Sequence, residues 1–298
     1  MSVKVTNLSK FYGKQKAVDN ISFEISSGEI VGFLGPNGAG KSTTMKMITG
    51  FVEADKGQVT VSGIDSLKQN SLAKQKIGYL PENNPLYADM YVKEYLTFVA
   101  NIYKIKNVKA RVAEMIEKTG LQREQHKKIE QLSKGYKQRI GIAQALIHDP
   151  EVLILDEPTS GLDPNQLEDI RALIKELGKE KTVILSTHIM QEVEAMCQRV
   201  IILNKGKIVA DNKVSQLKSN SNKNVVVKFK LKAKKAKDLQ MDHVKFEDLA
   251  GGYIRASSKN SDDLVVQIFG YCVKQGFVLH HLEQENFSLE EVFKQLTK

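Results

Sequence analysis

Apolar and polar residues alternate along Val3–Leu8 and again along Ile21–Ile25, the pattern of half-buried strands. Glu29–Leu34 (EIVGFL) does not alternate. It is a short apolar run between the turn pair Ser27-Gly28 and a Gly-rich stretch, and it reads as a strand covered on both faces. Lys41–Thr49, closed by Gly50, reads as a helix, and Val59–Val61 as a strand before Gly63. From about 86 to 150 the period lengthens. Val92, Tyr95, Leu96, Val99, Ile102 and Tyr103 fall at helical spacing, as do Val112, Met115, Ile116 and Thr119, then Ile140, Ala143, Leu146 and Ile147. These stripes predict a helical insert.

Strand-like runs return at Val152–Leu155, Thr182–Leu185 and Val200–Leu203, separated by helical stretches Pro164–Gly178 and Ile189–Cys197. Strand and helix in alternation predict a largely parallel sheet. Past Leu217 the texture shifts. A polar stretch (SNSNKN) reads as a linker over 217–224. Beyond it, strand signals at Val225–Leu231 and Phe277–Leu282, with helical ones at Asp262–Gly270 and Leu289–Leu296, predict a small α+β domain over 225–298, following a first domain over 1–216.

Two stretches carry chemistry. Gly35-Pro36-Asn37-Gly38-Ala39-Gly40-Lys41-Ser42-Thr43 matches G-x-x-x-x-G-K-[ST] between a strand and a helix. Glycines let successive backbone N–H groups turn inward around phosphate oxygens, and the helix N-terminus adds partial positive charge. Lys41 is placed to reach the terminal phosphates of a nucleotide and Ser42 to hold Mg²⁺. The second stretch is Val152–Pro158 (VLILDEP), a buried strand delivering Asp156 and Glu157 at its carboxyl end, the edge where open α/β sheets bind ligands. Asp156 suits the metal shell, and Glu157 suits orienting and deprotonating an attacking water.

Other chemistries find little support. The 298 residues contain two cysteines, Cys197 and Cys272, far apart and outside any CxxC, so a disulfide framework or zinc site is not expected. His280-His281 is the only histidine pair, and neighbours in sequence point apart on any regular element. The start of the sequence has no apolar signal region, and no run approaches the roughly 18 apolar residues of a membrane span. A cytoplasmic protein is expected. The formal charge of +9 admits nucleic acid, an anionic membrane face or phosphate ligands.

Taken in order, the motifs resemble the ATP-binding subunits of ABC transporters, over roughly residues 1–215. Leu132-Ser133-Lys134-Gly135-Tyr136 resembles the family signature, Ser160-Gly161-Leu162-Asp163 the D-loop, and Ser186-Thr187-His188 the switch histidine. Tyr12 resembles the aromatic that stacks on adenine, and Glu82 stands where the family usually has Gln. The fold implied is α/β: a P-loop NTPase (RecA-like) core with a helical and an antiparallel β subdomain, plus the small C-terminal domain. The resemblance implies that two chains sandwich two ATP head to tail. Ser133 and Gly135 of one would meet the γ-phosphate held by the other, Asp163 would link the two sites, and His188 would hold phosphate, Glu157 and water in place. It also implies integral membrane permease subunits as separate chains, with this subunit peripheral on the inner face of the membrane.

Two departures mark the chain. The signature carries Lys134 and Tyr136 in place of Gly and Gln but keeps Ser133 and Gly135. Glu82 resembles the same position in exporters of the multidrug, polysaccharide and gliding-motility type, as does the closing stretch ENFSLEEVFKQLT. A soluble ABC ATPase acting on nucleic acid or ribosomes is the rival reading, but paired cassettes, coiled coils and zinc modules are not visible, and no nucleic acid is expected. A P-loop kinase or GTPase does not account for Ser133–Arg139 or Ser160–Asp163. The charge itself is local. Twelve Lys and three Asp lie between Lys205 and Lys245, with no Arg or Glu, so this segment holds the whole excess and the nucleotide motifs lie outside it. A solvated lysine face is the first reading of this segment, and contact of Lys205–Lys245 with anionic lipid headgroups is the sharper expectation.

Overall fold

The computed structural model describes residues 2–66, 68–221, 225–232, 234–258, 263–285, 290, 293 and 296–297. The chain divides into two compact units, Met1–Val214 and Ser215–Leu296.

In the first unit β1 (Val3–Tyr12) and β2 (Gln15–Ile25) form a hairpin, followed by β3 (Ile30–Leu34) and α1 (Lys41–Ile48). Then come β4 (Lys56–Val61), β5 (Ile64–Asp65), α2 (Asn70–Gln75) and β6 (Ile77–Leu80). Three helices follow, α3 (Val92–Ile102), α4 (Val108–Lys118) and α5 (Lys134–Leu146). The unit closes with β7 (Val152–Asp156), α6 (Pro164–Leu177), β8 (Thr182–Thr187), α7 (Met190–Met196), β9 (Arg199–Asn204) and β10 (Lys207–Lys213).

Two sheets result. One is antiparallel, in the order β2-β1-β4-β5; the other has six strands in the order β10-β9-β3-β8-β7-β6. Within it β9, β3, β8, β7 and β6 run parallel and β10 pairs antiparallel at the edge. Every residue of β3 and β7 is buried, as expected of parallel strands covered on both faces. One apolar cluster joins the sheets: Val5, Phe23 and Val61 of the antiparallel sheet pack with Phe33, Ile154 and Ile201 of the other and with Met45 and Ile48 of α1.

The helical stripes hold for Val92, Tyr95, Leu96 and Val99, for the α4 set and for the α5 set, all buried. They fail at the end of α3. Ile102 and Tyr103 are exposed because the helix stops there, and the Tyr103 ring stacks on His148 at 4.1 Å between centroids.

The second unit begins inside α8 (Val214–Ser221) and contains β11 (Val225–Leu231), β12 (Val244–Asp248), β13 (Ile254–Ser258), α9 (Leu264–Lys274) and β14 (Leu279–Glu285). Its antiparallel sheet has the order β12-β13-β11-β14. Val227, Phe229 and Leu231 alternate inward and pack with Ile254, Leu264 and Ile268. The stretch expected to be linker begins instead as helix: 217–221 belong to α8, while 222–224 lie outside the described residues. The helix expected over Leu289–Leu296 also lies largely outside them.

Candidate nucleotide site

The loop between β3 and α1 is where the chain must curl. Gly40 sits at φ +105°, a conformation that L side chains rarely adopt, and a Cβ there would come within 2.4 Å of the Ala17 carbonyl. The glycine therefore lets the loop press against β2 while α1 starts at Lys41. A cleft of about 570 Å³ opens at this loop. It is lined by Tyr12 from the end of β1, by Asn37, Gly38, Ala39, Gly40, Lys41, Ser42 and Thr43, and by Glu82, Glu157, Ser160 and His188. Residues far apart in sequence converge because β8, β7 and β6 run parallel to β3 in the same sheet and end on the same side.

Lys41 is buried, and its ammonium donates to the carbonyls of Gly35 at 2.8 Å and Pro36 at 3.3 Å. Glu157 Oε1 lies 3.8 Å away. Burial pulls the Lys41 pKa down, opposed by the carboxylates of Glu157, Asp156 and Glu82.

Glu157 is buried at φ +51°, a left-handed conformation seldom held by a non-glycine residue. Its N–H donates to the Ser186 carbonyl at 3.1 Å and to Ser186 Oγ at 3.2 Å, so β8 fixes the turn. The carboxylate lies 3.0 Å from His188 Nδ1. Burial raises the Glu157 pKa, against the lowering effects of His188 and Lys41. A carboxyl with raised proton affinity, oriented by an imidazole and opening on a phosphate loop, is suited to accept a proton from water.

Asp156 lies one residue deeper. Its Oδ1 accepts hydrogen bonds from the Ser42 hydroxyl at 3.1 Å and from the Ser186 hydroxyl. A hydroxyl and a carboxylate oxygen held together at the start of α1, with Glu82 on the same cleft, form an all-oxygen donor set that suits a hard divalent cation such as Mg²⁺.

Ser133, Gly135 and Asp163 do not line this cleft. Ser133 caps α5 and Asp163 caps α6, each accepting a backbone N–H with its side chain. Gln166 joins them: its N–H donates to Asp163 Oδ1 at 2.9 Å and its Nε2 to Ser133 Oγ at 3.3 Å. A Cβ on Gly135 would come within 2.6 Å of the Gln166 side-chain oxygen, so a larger residue there would displace the Gln166 side chain. Signature and D-loop thus form a second surface beside the cleft's Ser160.

One supporting residue went unread in the sequence. Glu192 of α7 is fully buried and accepts hydrogen bonds from the Thr159 hydroxyl and from the Thr187 hydroxyl, the latter at 2.7 Å. It ties the turn after Glu157 to the residue before His188. The available signal was its place on the apolar side of α7 with Val193 and Met196.

Residues 18–160 match the ABC transporter family. The bacitracin transport ATP-binding protein of Bacillus licheniformis is 40% identical over 223 residues, which are 74% of this chain and 72% of that protein. The linearmycin resistance ATP-binding protein of Bacillus subtilis is 44% identical over 211 residues, 70% of this chain and 68% of that protein. An ATP-binding cassette solved as a dimer in a post-hydrolysis state, bound to ADP and phosphate, superimposes with a TM-score of 0.65 at 29% identity, over 71% of this chain and 98% of that one. The chain therefore belongs to the ABC transporter family as an ATP-binding, ATP-hydrolysing subunit.

Proposed function

We propose that this subunit powers export through a membrane permease supplied by other chains, working as a pair in which each cleft is completed by the partner's signature. The observation that carries the pairing is the separation of the two surfaces. Lys41, Glu157 and His188 gather in one cleft, while Ser133, Gly135 and Asp163 are held outside it by α5, α6 and Gln166. A second chain, head to tail, brings the missing donors. Export rests on the relatives named for bacitracin transport and linearmycin resistance. The finer likeness to gliding-motility exporters rests only on sequence stretches such as YLPENNPLY.

In this scheme Tyr12, half exposed at the rim, stacks on adenine, and the N–H groups of 37–43 and Lys41 hold the phosphates. Glu157 takes the proton of the attacking water. His188 orients Glu157 and contacts the γ-phosphate. Ser42 and Asp156 would hold Mg²⁺, with Glu82 as a further ligand, directly or through water; when bound, the ion neutralises and orients phosphate oxygens. Glu82→Gln should therefore raise the Mg²⁺ concentration needed for half-maximal ATPase, read from an Mg²⁺ titration. An unchanged titration and rate would leave Glu82 a coupling role alone.

No helix among the described residues is long and apolar enough to cross a membrane. The subunit is placed on the inner face through its permease. The docking face proposed is the helical region, where Tyr87, Tyr91, Phe98 and Ile102 are exposed and a cleft of about 980 Å³ opens at Tyr103 and His148. Tagged chain isolated from membranes should bring down a multi-span protein, and Phe98→Asp should reduce that recovery while ATP binding persists. Recovery with ribosomes and no membrane protein would favour the soluble ATPase reading instead.

The lysine-rich segment is proposed to contact anionic headgroups. Lys228 and Lys230 share the outer side of β11 over the Tyr253 ring. Replacing the lysines of 228–237 by Gln should lower cosedimentation with anionic vesicles at low salt; undiminished cosedimentation would remove the idea.

A further inference from the structure

α9 has two apolar faces. Leu264, Ile268 and Cys272 pack into the core of the second unit. On the opposite side Val266, Phe269 and Val273 are 59%, 54% and 64% exposed, spaced i, i+3 and i+7. Gly270 completes the stripe, and a Cβ built on it meets nothing within 4 Å. Exposed apolar side chains scattered singly are ordinary, but three on one helical stripe around a glycine form a seam that another helix can enter.

We propose that the occupant of this seam is α9 of a second copy, packed antiparallel across a two-fold axis. The register follows from shape. Centring the crossing between Phe269 and Gly270 sets each Phe269 ring over the partner's open glycine and each Val266 beside Val273 of the partner subunit. Large faces small and each contact occurs twice, as an isologous interface requires. Charge selects the direction. Exposed Asp263 precedes the helix and exposed Lys274 ends it. The antiparallel arrangement brings these opposite charges together and opposes the helix dipoles, whereas a parallel one stacks Lys274 on Lys274.

The seam is small: three side chains and a glycine per copy fall well short of the roughly 1,200–2,000 Å² of a stable free-standing complex. It becomes effective when the ATPase units already pair, because tethering raises the local concentration of one α9 near another to the order of millimolar. The inference thus rests on the head-to-tail pairing proposed above. Its consequence is a contact that holds two chains together after hydrolysis opens the clefts.

The test uses full-length chains that also carry Glu157→Gln, incubated with ATP. Chains with Val266→Cys are mixed with chains carrying Val273→Cys and treated with a short bis-maleimide. Both native cysteines are buried. The mixture should yield a cross-linked dimer, each variant alone should yield little, and Phe269→Asp in both chains should lower the yield about tenfold, the factor given by 1.4 kcal/mol. Circular dichroism confirms that the exposed substitutions leave the fold intact. No cross-link in the mixture overturns the α9 contact. Gel filtration of the same samples then tells the two readings apart: a dimer without the cross-link leaves head-to-tail pairing standing, and a monomer removes that as well. Stronger cross-linking by either variant alone than by the mixture overturns the antiparallel register.

Discussion

Glu157→Gln will keep ATP bound, lower turnover about 100-fold or more, and accumulate a dimer in the presence of ATP. The substitution changes charge and proton affinity but almost no volume. The turn at φ +51° is held by the Glu157 N–H to Ser186, which glutamine retains. The side-chain amide can still reach His188, now 3.0 Å from the carboxylate. What disappears is the acceptor for the water proton, whose affinity burial has raised. Binding and closure precede that step, so the closed pair persists once hydrolysis cannot release it. Phosphate release measures turnover, a fluorescent ATP analogue measures binding, and light scattering measures mass. Wild-type turnover in this variant would remove Glu157 from the reaction.

Lys41→Ala acts earlier. A hydrogen bond from an ammonium to a charged group contributes about 1.5–3 kcal/mol, so ATP affinity should fall about 10- to 100-fold. Stability without nucleotide should change much less. The Lys41 ammonium bears a desolvation cost that its bonds to Gly35 and Pro36 and its proximity to Glu157 partly offset, and alanine removes cost and gain together. The two variants are therefore separable by thermal melting. Millimolar ATP should raise the Tm of Glu157→Gln and scarcely move that of Lys41→Ala, because ligand stabilisation scales with occupancy. Equal shifts in both would contradict the assigned roles.

The site was legible where chemistry dictates residue type at successive positions. A loop that cradles phosphate needs its glycines, lysine and hydroxyl in a row, and a buried strand can deliver Asp156 and Glu157 to the cleft only at its carboxyl end. Ser133 and Asp163 were legible as motif members, but their second task, capping α5 and α6, depends on where the helices start. Glu192 escaped because an acidic residue in an amphipathic helix ordinarily faces water; only the fold places Thr159 and Thr187 around it. The rest of the first unit was read by period, except α2, β5, β6 and β10. α2 is six residues with one buried side chain, Ala73, and β10 alternates weakly because it is an edge strand. β12 and β13 were missed for a similar reason. VKFED and IRASS carry only two apolar residues each, too few to signal a strand alone, and the pairing of β13 with β12 and with β11 supplies the order.

The most direct test of the account is ATP turnover by the assembly isolated from membranes through a tag on this chain, wild type beside Glu157→Gln. The account predicts that both preparations contain the same multi-span protein, that the wild type hydrolyses ATP, and that the variant does not. A chain recovered without any membrane protein, or a variant assembly that hydrolyses ATP as fast as wild type, would contradict it.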